Sequence, residues 1–199
     1  MKNGIRKLFE VADFENSNGN YAKAIATYQE VLKLPDLHDN ERHLSYWGIG
    51  EIYLNAAKYD DAEHYLSKAI EIAPQESYYQ YLLGCTYTYK NQIEEAIHRL
   101  EQALSIDDSI EIYWGQLGWV VGYNKDFDKG VEYLKKALSI NPKHYSSLRD
   151  LCMLYTQKQK FNEALVCIEE AGKYFPNNEE VQSLKEQVEF FQKEFENWS

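Results

Sequence analysis

His64 and His98 stand 34 residues apart, and Glu132 follows after another 34. Two imidazoles and a carboxylate are a familiar zinc ligand set, but zinc needs its ligands at about 2 Å. Equivalent residues in stacked helical repeats lie about a helix diameter apart, ~10 Å. That is too far to share an ion, so no metal ligands are expected. His38 and His43 fall in the polar stretch "DLHDNERH" and read as solvated. Cys85, Cys152 and Cys167 are odd in number and form no CxxC pair, which suggests reduced thiols and a cytoplasmic location. Cys85 has no neighbouring Lys, Arg or His to lower its pKa and reads as inert. No GxxxxGKS/T, GxGxxG, HExxH or GxSxG occurs. No catalytic residue or cofactor is expected, and the chain reads as non-enzymatic. Asn197-Trp198-Ser199 fits a glycosylation triplet that a cytoplasmic protein would not use.

One stretch is unusual for another reason. "YWGQLGWVVGY" (113–123) places three glycines at spacings of three and four among four aromatic residues. Glycine costs about 1 kcal/mol relative to alanine inside a helix, so three on a helical period call for an explanation.

The chain has 199 residues with 44% hydrophobic and 15% aromatic composition, enough for a substantial core. A net charge of −11 and the lack of a basic run argue against nucleic acid or an anionic membrane as partner. No apolar stretch suits a signal peptide or a membrane span.

The elements that must position these residues recur. The blocks "NYAKAIATYQEVLKLPD" (20–36), "KYDDAEHYLSKAIEIAP" (58–74), "QIEEAIHRLEQALSIDD" (92–108), "DFDKGVEYLKKALSINP" (126–142) and "KFNEALVCIEEAGKYFP" (160–176) align without gaps. Each opens on Tyr21, Tyr59, Ile93, Phe127 or Phe161. A small residue follows (Ala24, Ala62, Ala96, Gly130, Ala164), then a large one (Tyr28, Leu66, Leu100, Leu134, Ile168). The step is 38 residues once and then 34 three times. A preceding helical pattern carries its own small slot at Ala12, Gly50, Gly84, Gly118 and Cys152. Pro35, Pro74, Pro142 and Pro176 stop the second helices.

This pattern resembles the tetratricopeptide repeat family over about residues 4–177, with Asp108, Gly130 and Cys152 departing modestly. The expected fold is all-α: an α-solenoid of five helix-turn-helix units plus a C-terminal capping helix. The units run approximately 4–37, 43–76, 77–110, 111–144 and 145–177, within residues 1–177, and the cap covers 178–199. One helix pair cannot bury its apolar face alone, so neighbours must stack. The resemblance implies that the first helices line a concave groove. Relatives that grip a chaperone's C-terminal carboxylate do so with Lys, Arg and Asn on that face. Here the stretch offers Asp13, Gly48, Tyr78 and Leu82, with Arg6 the nearby cation, so that clamp is not expected.

Trp114, Leu117, Gly118 and Val121 match core slots in the other units. Gly115 and Gly122 share another face with Ile112, Trp119 and Tyr123, which the register aims into the groove. The equivalent face carries Leu44, Trp47, Glu51, Leu54 and Asn55 in the second unit, and Tyr78, Tyr81, Cys85, Thr88 and Tyr89 in the third. It is mostly polar in the first (Arg6, Phe9, Asp13, Asn16, Ser17) and fifth (Ser146, Arg149, Met153, Thr156, Gln157) units. Aromatic anchors inside a polar rim characterise protein-binding sites. The partner-binding residues expected are therefore Leu44, Trp47, Leu54, Tyr78, Tyr81, Tyr89, Ile112, Gly115, Trp119, Gly122 and Tyr123. On this reading Gly115 and Gly122 leave a depression walled by Trp119 and Tyr123.

The functional expectation is a scaffold that holds a peptide or helix of another protein, neutral or basic with apolar anchors. A peptide-sensing regulator and a homo-oligomeric structural component are the alternatives. In the last stretch, Val181, Leu184, Val188, Phe191, Phe195 and Trp198 recur three or four apart, after a capping Asn177 or Asn178. This helix either caps the last repeat or, through Phe195 and Trp198, pairs with a second copy.

Overall fold

The 34-residue period resolves into helix pairs. The computed structural model describes residues 2–198, and among these there are eleven helices and no strand. They are α1 (Lys2–Ser17), α2 (Tyr21–Leu32), α3 (Asp39–Asn55), α4 (Tyr59–Ile72), α5 (Ser77–Tyr89), α6 (Ile93–Ile106), α7 (Glu111–Asn124), α8 (Phe127–Ile140), α9 (Tyr145–Gln157), α10 (Phe161–Tyr174) and α11 (Glu179–Trp198). The fold is all-α and of the α-solenoid class. The helices group into two compact units that divide between Ile106 and Asp107.

In the first unit α1 packs on α2, α3 on α4 and α5 on α6, and α2–α3 and α4–α5 contacts join successive pairs. The small slots explain the intimacy of each pair. A Cβ added at Gly50 would come 2.8 Å from Leu66 Cγ, and one at Gly84 would come 2.8 Å from Leu100 Cγ. Both leucines are fully buried, so truncating either to alanine would cost about 2–5 kcal/mol. Ala12 and Tyr28 belong to one apolar cluster with Ala24, Ile49 and Ile52.

The second unit repeats the scheme: Gly118 faces Leu134 Cγ at 2.8 Å from a would-be Cβ. One core then runs through Leu134, Leu148, Leu151, Cys152, Leu154, Ala164 and Ile168 to Val181 and Val188 of α11. Trp114 is half-buried against Tyr133, with ring centroids 5.6 Å apart, and its indole N–H donates to the Asp108 carbonyl at 2.8 Å.

Turn chemistry carries the period as well. Gly19, Ala57, Asn91 and Gln159, at matching register, all take the left-handed conformation, with φ between 56° and 76°. Lys125, the fourth-unit equivalent, does not (φ −133°). There the connection is shorter, and Asp126 caps α8 by accepting from the Lys129 N–H at 3.1 Å. At α11, Asn178 accepts from the Glu180 N–H at 2.8 Å, which satisfies one open donor of the first turn. His43 corrects an expectation: it is not solvated in a loop but lies half-buried on α3, with Nδ1 2.9 Å from the Tyr79 hydroxyl.

Candidate functional site

Helix spacing brings α3 and α5 side by side and aims their apolar-aromatic faces the same way. Trp47 stacks on Tyr79 (centroids 5.9 Å, interplanar 21°) and meets Tyr78 edge-on at 6.3 Å. Tyr78 in turn stacks on Tyr81 at 5.8 Å. Past them, the chain ends of α3 and α5 and the start of α4 enclose a cavity of about 450 Å³. Glu51, Leu54, Asn55, Tyr59, Tyr78, Tyr81, Leu82, Cys85 and Tyr89 line it, with the Ala57 turn at its edge. Leu54, Tyr78, Tyr81 and Tyr89, four residues expected from the sequence, thus meet in one cavity. Leu44 is half-buried on the same helix as Trp47.

Two further lining residues shape the cavity without being among the expected binding residues. Tyr59 stacks on Tyr89 at 5.3 Å and 9°, so a residue that opens the second helix of the pair becomes a wall. Its recurrence as an aromatic in the first position of the block was the available signal. Glu51 lies on the expected face and brings a charge into it. The Tyr78 hydroxyl donates to its Oε1 at 3.0 Å.

Burial raises the Glu51 carboxyl above the usual carboxylate range; the Tyr78 hydrogen bond opposes this, and the Asp13 charge adds to it. Asp13 itself accepts the Tyr28 hydroxyl at 2.6 Å. Cys85 sits on the floor, 8% exposed, and burial pushes its thiol up to about 12 against the Tyr81 hydrogen bond. A thiol so placed carries negligible thiolate near neutrality and is chemically quiet.

In the second unit the depression expected at the glycines is filled. A Cβ on Gly115 would stand 2.8 Å from Ser147 Oγ and 3.2 Å from His144 Cε1, both of α9 or its N-terminal flank. One on Gly122 would strike Leu154 Cδ1 and lie 3.1 Å from Gly130 Cα. Both glycines are buried packing positions. The cause is stacking: α9 lies against α7 as well as α8, so that face of α7 is covered. Ile112 and Trp119 remain half-buried. Tyr123 is exposed and tilted against Trp119 at 5.1 Å between centroids.

The positions where a carboxylate clamp would stand are otherwise engaged. The Tyr28 ring covers Gly48, Leu82 is buried, and Arg6 is paired with Glu10 at 3.0 Å. Among the described residues, no group of three His, Cys, Asp or Glu side chains is placed to share a metal ion. No described helix is long and apolar enough to cross a membrane.

The pairwise register, the small slots and the packed leucines agree with comparison to known proteins. Family models for the tetratricopeptide repeat match residues 41–109 and 123–188, together about two thirds of the chain. The chain belongs to the tetratricopeptide repeat family. No curated protein matches the sequence. Among solved structures, TTC0263, a thermophilic tetratricopeptide repeat protein of Thermus thermophilus, is 17% identical; 94% of this chain and 99% of that one align, with a TM-score of 0.75. MamA from Desulfovibrio magneticus aligns over 87% of this chain and 96% of its own at 16% identity, with a TM-score of 0.74. YrrB, described as having an unusual peptide-binding site, aligns over 90% of each chain at 20% identity and a TM-score of 0.68. These likenesses agree with the tetratricopeptide fold. Their low identity carries nothing further about this chain.

Proposed function

We propose that this tetratricopeptide protein is a non-enzymatic scaffold that binds a segment of another protein on the α3–α5 face. The supporting observation is the cavity walled by Tyr59, Tyr78, Tyr81 and Tyr89, open beside the Trp47 stack. Its volume falls within the range of ligand pockets, about 300–1,000 Å³. Tyrosine supplies large contact area at a small entropy cost and is enriched at interaction hot spots. The test compares proteins captured by the intact chain with those captured by a Tyr81→Ala/Tyr89→Ala variant and by a Val166→Ala control on α10. The double variant is expected to lose its specific partners while the control keeps them. Equal capture by all three proteins would refute the assignment of this face.

A second reading rests on α11. Phe190, Phe191 and Phe195 are 60%, 50% and 45% exposed, and a cavity of about 540 Å³ lies between Phe161, Phe191 and Phe195. The Phe195 ring also meets Phe161 of the last pair at 5.8 Å. The Trp198 side chain lies outside the described residues. Pairing of two copies through this patch predicts a dimer in sedimentation that a Phe190→Ser/Phe191→Ser variant loses.

A further inference from the structure

We infer that the tyrosine cavity receives a cationic side chain, the ammonium of a lysine or the guanidinium of an arginine, from the protein partner. This rests on the proposed use of the α3–α5 face and adds the chemistry of its occupant. Two stacked tyrosine pairs, Tyr78–Tyr81 and Tyr59–Tyr89, bound the space. A cation over tyrosine faces is attracted by the ring quadrupole, more strongly as water is excluded. Leu54 and Leu82 offer apolar surface to the methylene stem.

Charge decides between occupants. The cavity lining contains one carboxylate, Glu51, and no Lys or Arg. Glu51 is half-buried, and the one hydrogen bond described for it comes from the neutral Tyr78 hydroxyl. Asp13, whose charge also acts on it, has the same sign. A half-buried carboxylate without a counter-ion is costly, and a guest cation would supply that counter-ion. Lys90, adjacent in sequence to Tyr89, does not fill this role, since Asp60 at 2.7 Å and Glu63 at 2.5 Å hold it. An acidic guest would be repelled. A neutral apolar guest would bury the carboxylate further without compensating it.

The test uses four short peptides, acetyl-Ser-Leu-Xaa-Leu-Ser-amide, with arginine, lysine, norleucine or glutamate at the central position. They are titrated against the full chain carrying 13C-labelled tyrosine rings, followed by NMR. The arginine and lysine peptides are expected to shift the Tyr59, Tyr78, Tyr81 and Tyr89 signals. Norleucine should bind about tenfold more weakly or less, and glutamate weaker still. Glu51→Gln should bring arginine down to the norleucine level without lowering the melting temperature, because Tyr78 can still donate to the amide oxygen. Norleucine binding as well as arginine, with Glu51→Gln inert, would overturn the cationic guest yet leave the face a peptide site. Failure of every peptide to shift these rings would overturn both.

Discussion

Glu51 ionises reluctantly because its carboxyl is half-buried, and the charge acting on it from α1 is another acid. The groups around it are Asp13 on α1, Tyr28 on α2, Tyr59 on α4, and Tyr78, Tyr81, Cys85 and Tyr89 on α5, none of them cationic. Its native pKa lies above the unfolded value of about 4.3. Between the two values the folded state therefore holds a proton that the unfolded state has lost. Stability falls as pH rises through that window, and the cost persists at neutral pH. Glu51→Gln should accordingly melt higher than the wild type at pH 7, with the difference vanishing below about pH 4. Calorimetry at both pH values checks this. A lower melting temperature for the variant at pH 7 would mean that the charge supports the fold. If the cavity takes a cation, the same residue is unfavourable for folding and favourable for binding, as functional sites often are.

At the scale of elements, the glycines of α7 show what periodicity reveals and what it leaves hidden. The slots at Gly50, Gly84 and Gly118 were legible because each faces its own pair partner, and 34-residue register reports that partner directly. So were the Tyr78, Tyr81 and Tyr89 face and the stop after each second helix. Gly115 and Gly122 were misread. A helical wheel says which way a position points, not what stands opposite, and α9 arrives there only through stacking of successive pairs. Tyr59 was missed for a related reason: it reaches the cavity from a different helix. Where α7 crosses α8, Gly122 and Gly130 pack backbone to backbone. A Cβ on Gly130 would meet Gly122 Cα, lie 2.6 Å from Gly122 N and 2.8 Å from the Gly118 carbonyl. Gly130→Ala should thus destabilise by about 1–3 kcal/mol, despite a helix-propensity gain of about 1 kcal/mol. It should do so although alanine fills the equivalent slot as Ala24, Ala62, Ala96 and Ala164. Urea denaturation measures this, and a variant as stable as the wild type would show that the two helices can separate at no cost.

For the whole molecule, two demands remain: ending the stack and choosing a partner. α11 meets the first, burying Val181 and Val188 against α9 and α10. Each such valine is worth about 1.5–3 kcal/mol. Deleting residues 178–199 should broaden and lower the melting transition and promote aggregation. An unchanged melting temperature with loss of a dimer in sedimentation would make α11 an interface instead. The second demand turns on charge in the proposed reading: residues 1–106 carry 16 Asp and Glu against 10 Lys and Arg, a balance that would favour basic partners at encounter. The most direct measurement places a photo-crosslinking amino acid that keeps an aromatic ring, benzoylphenylalanine, at position 89, on the exposed rim of the tyrosine cavity, with a control at the exposed His98. Crosslinked segments are then identified by mass spectrometry after activation in the native cell. Crosslinks are expected from position 89 and not from 98, to partner segments with a lysine or arginine within a few residues of the linkage. Crosslinks from both positions alike, or from position 89 to acidic segments, would contradict the proposed reading.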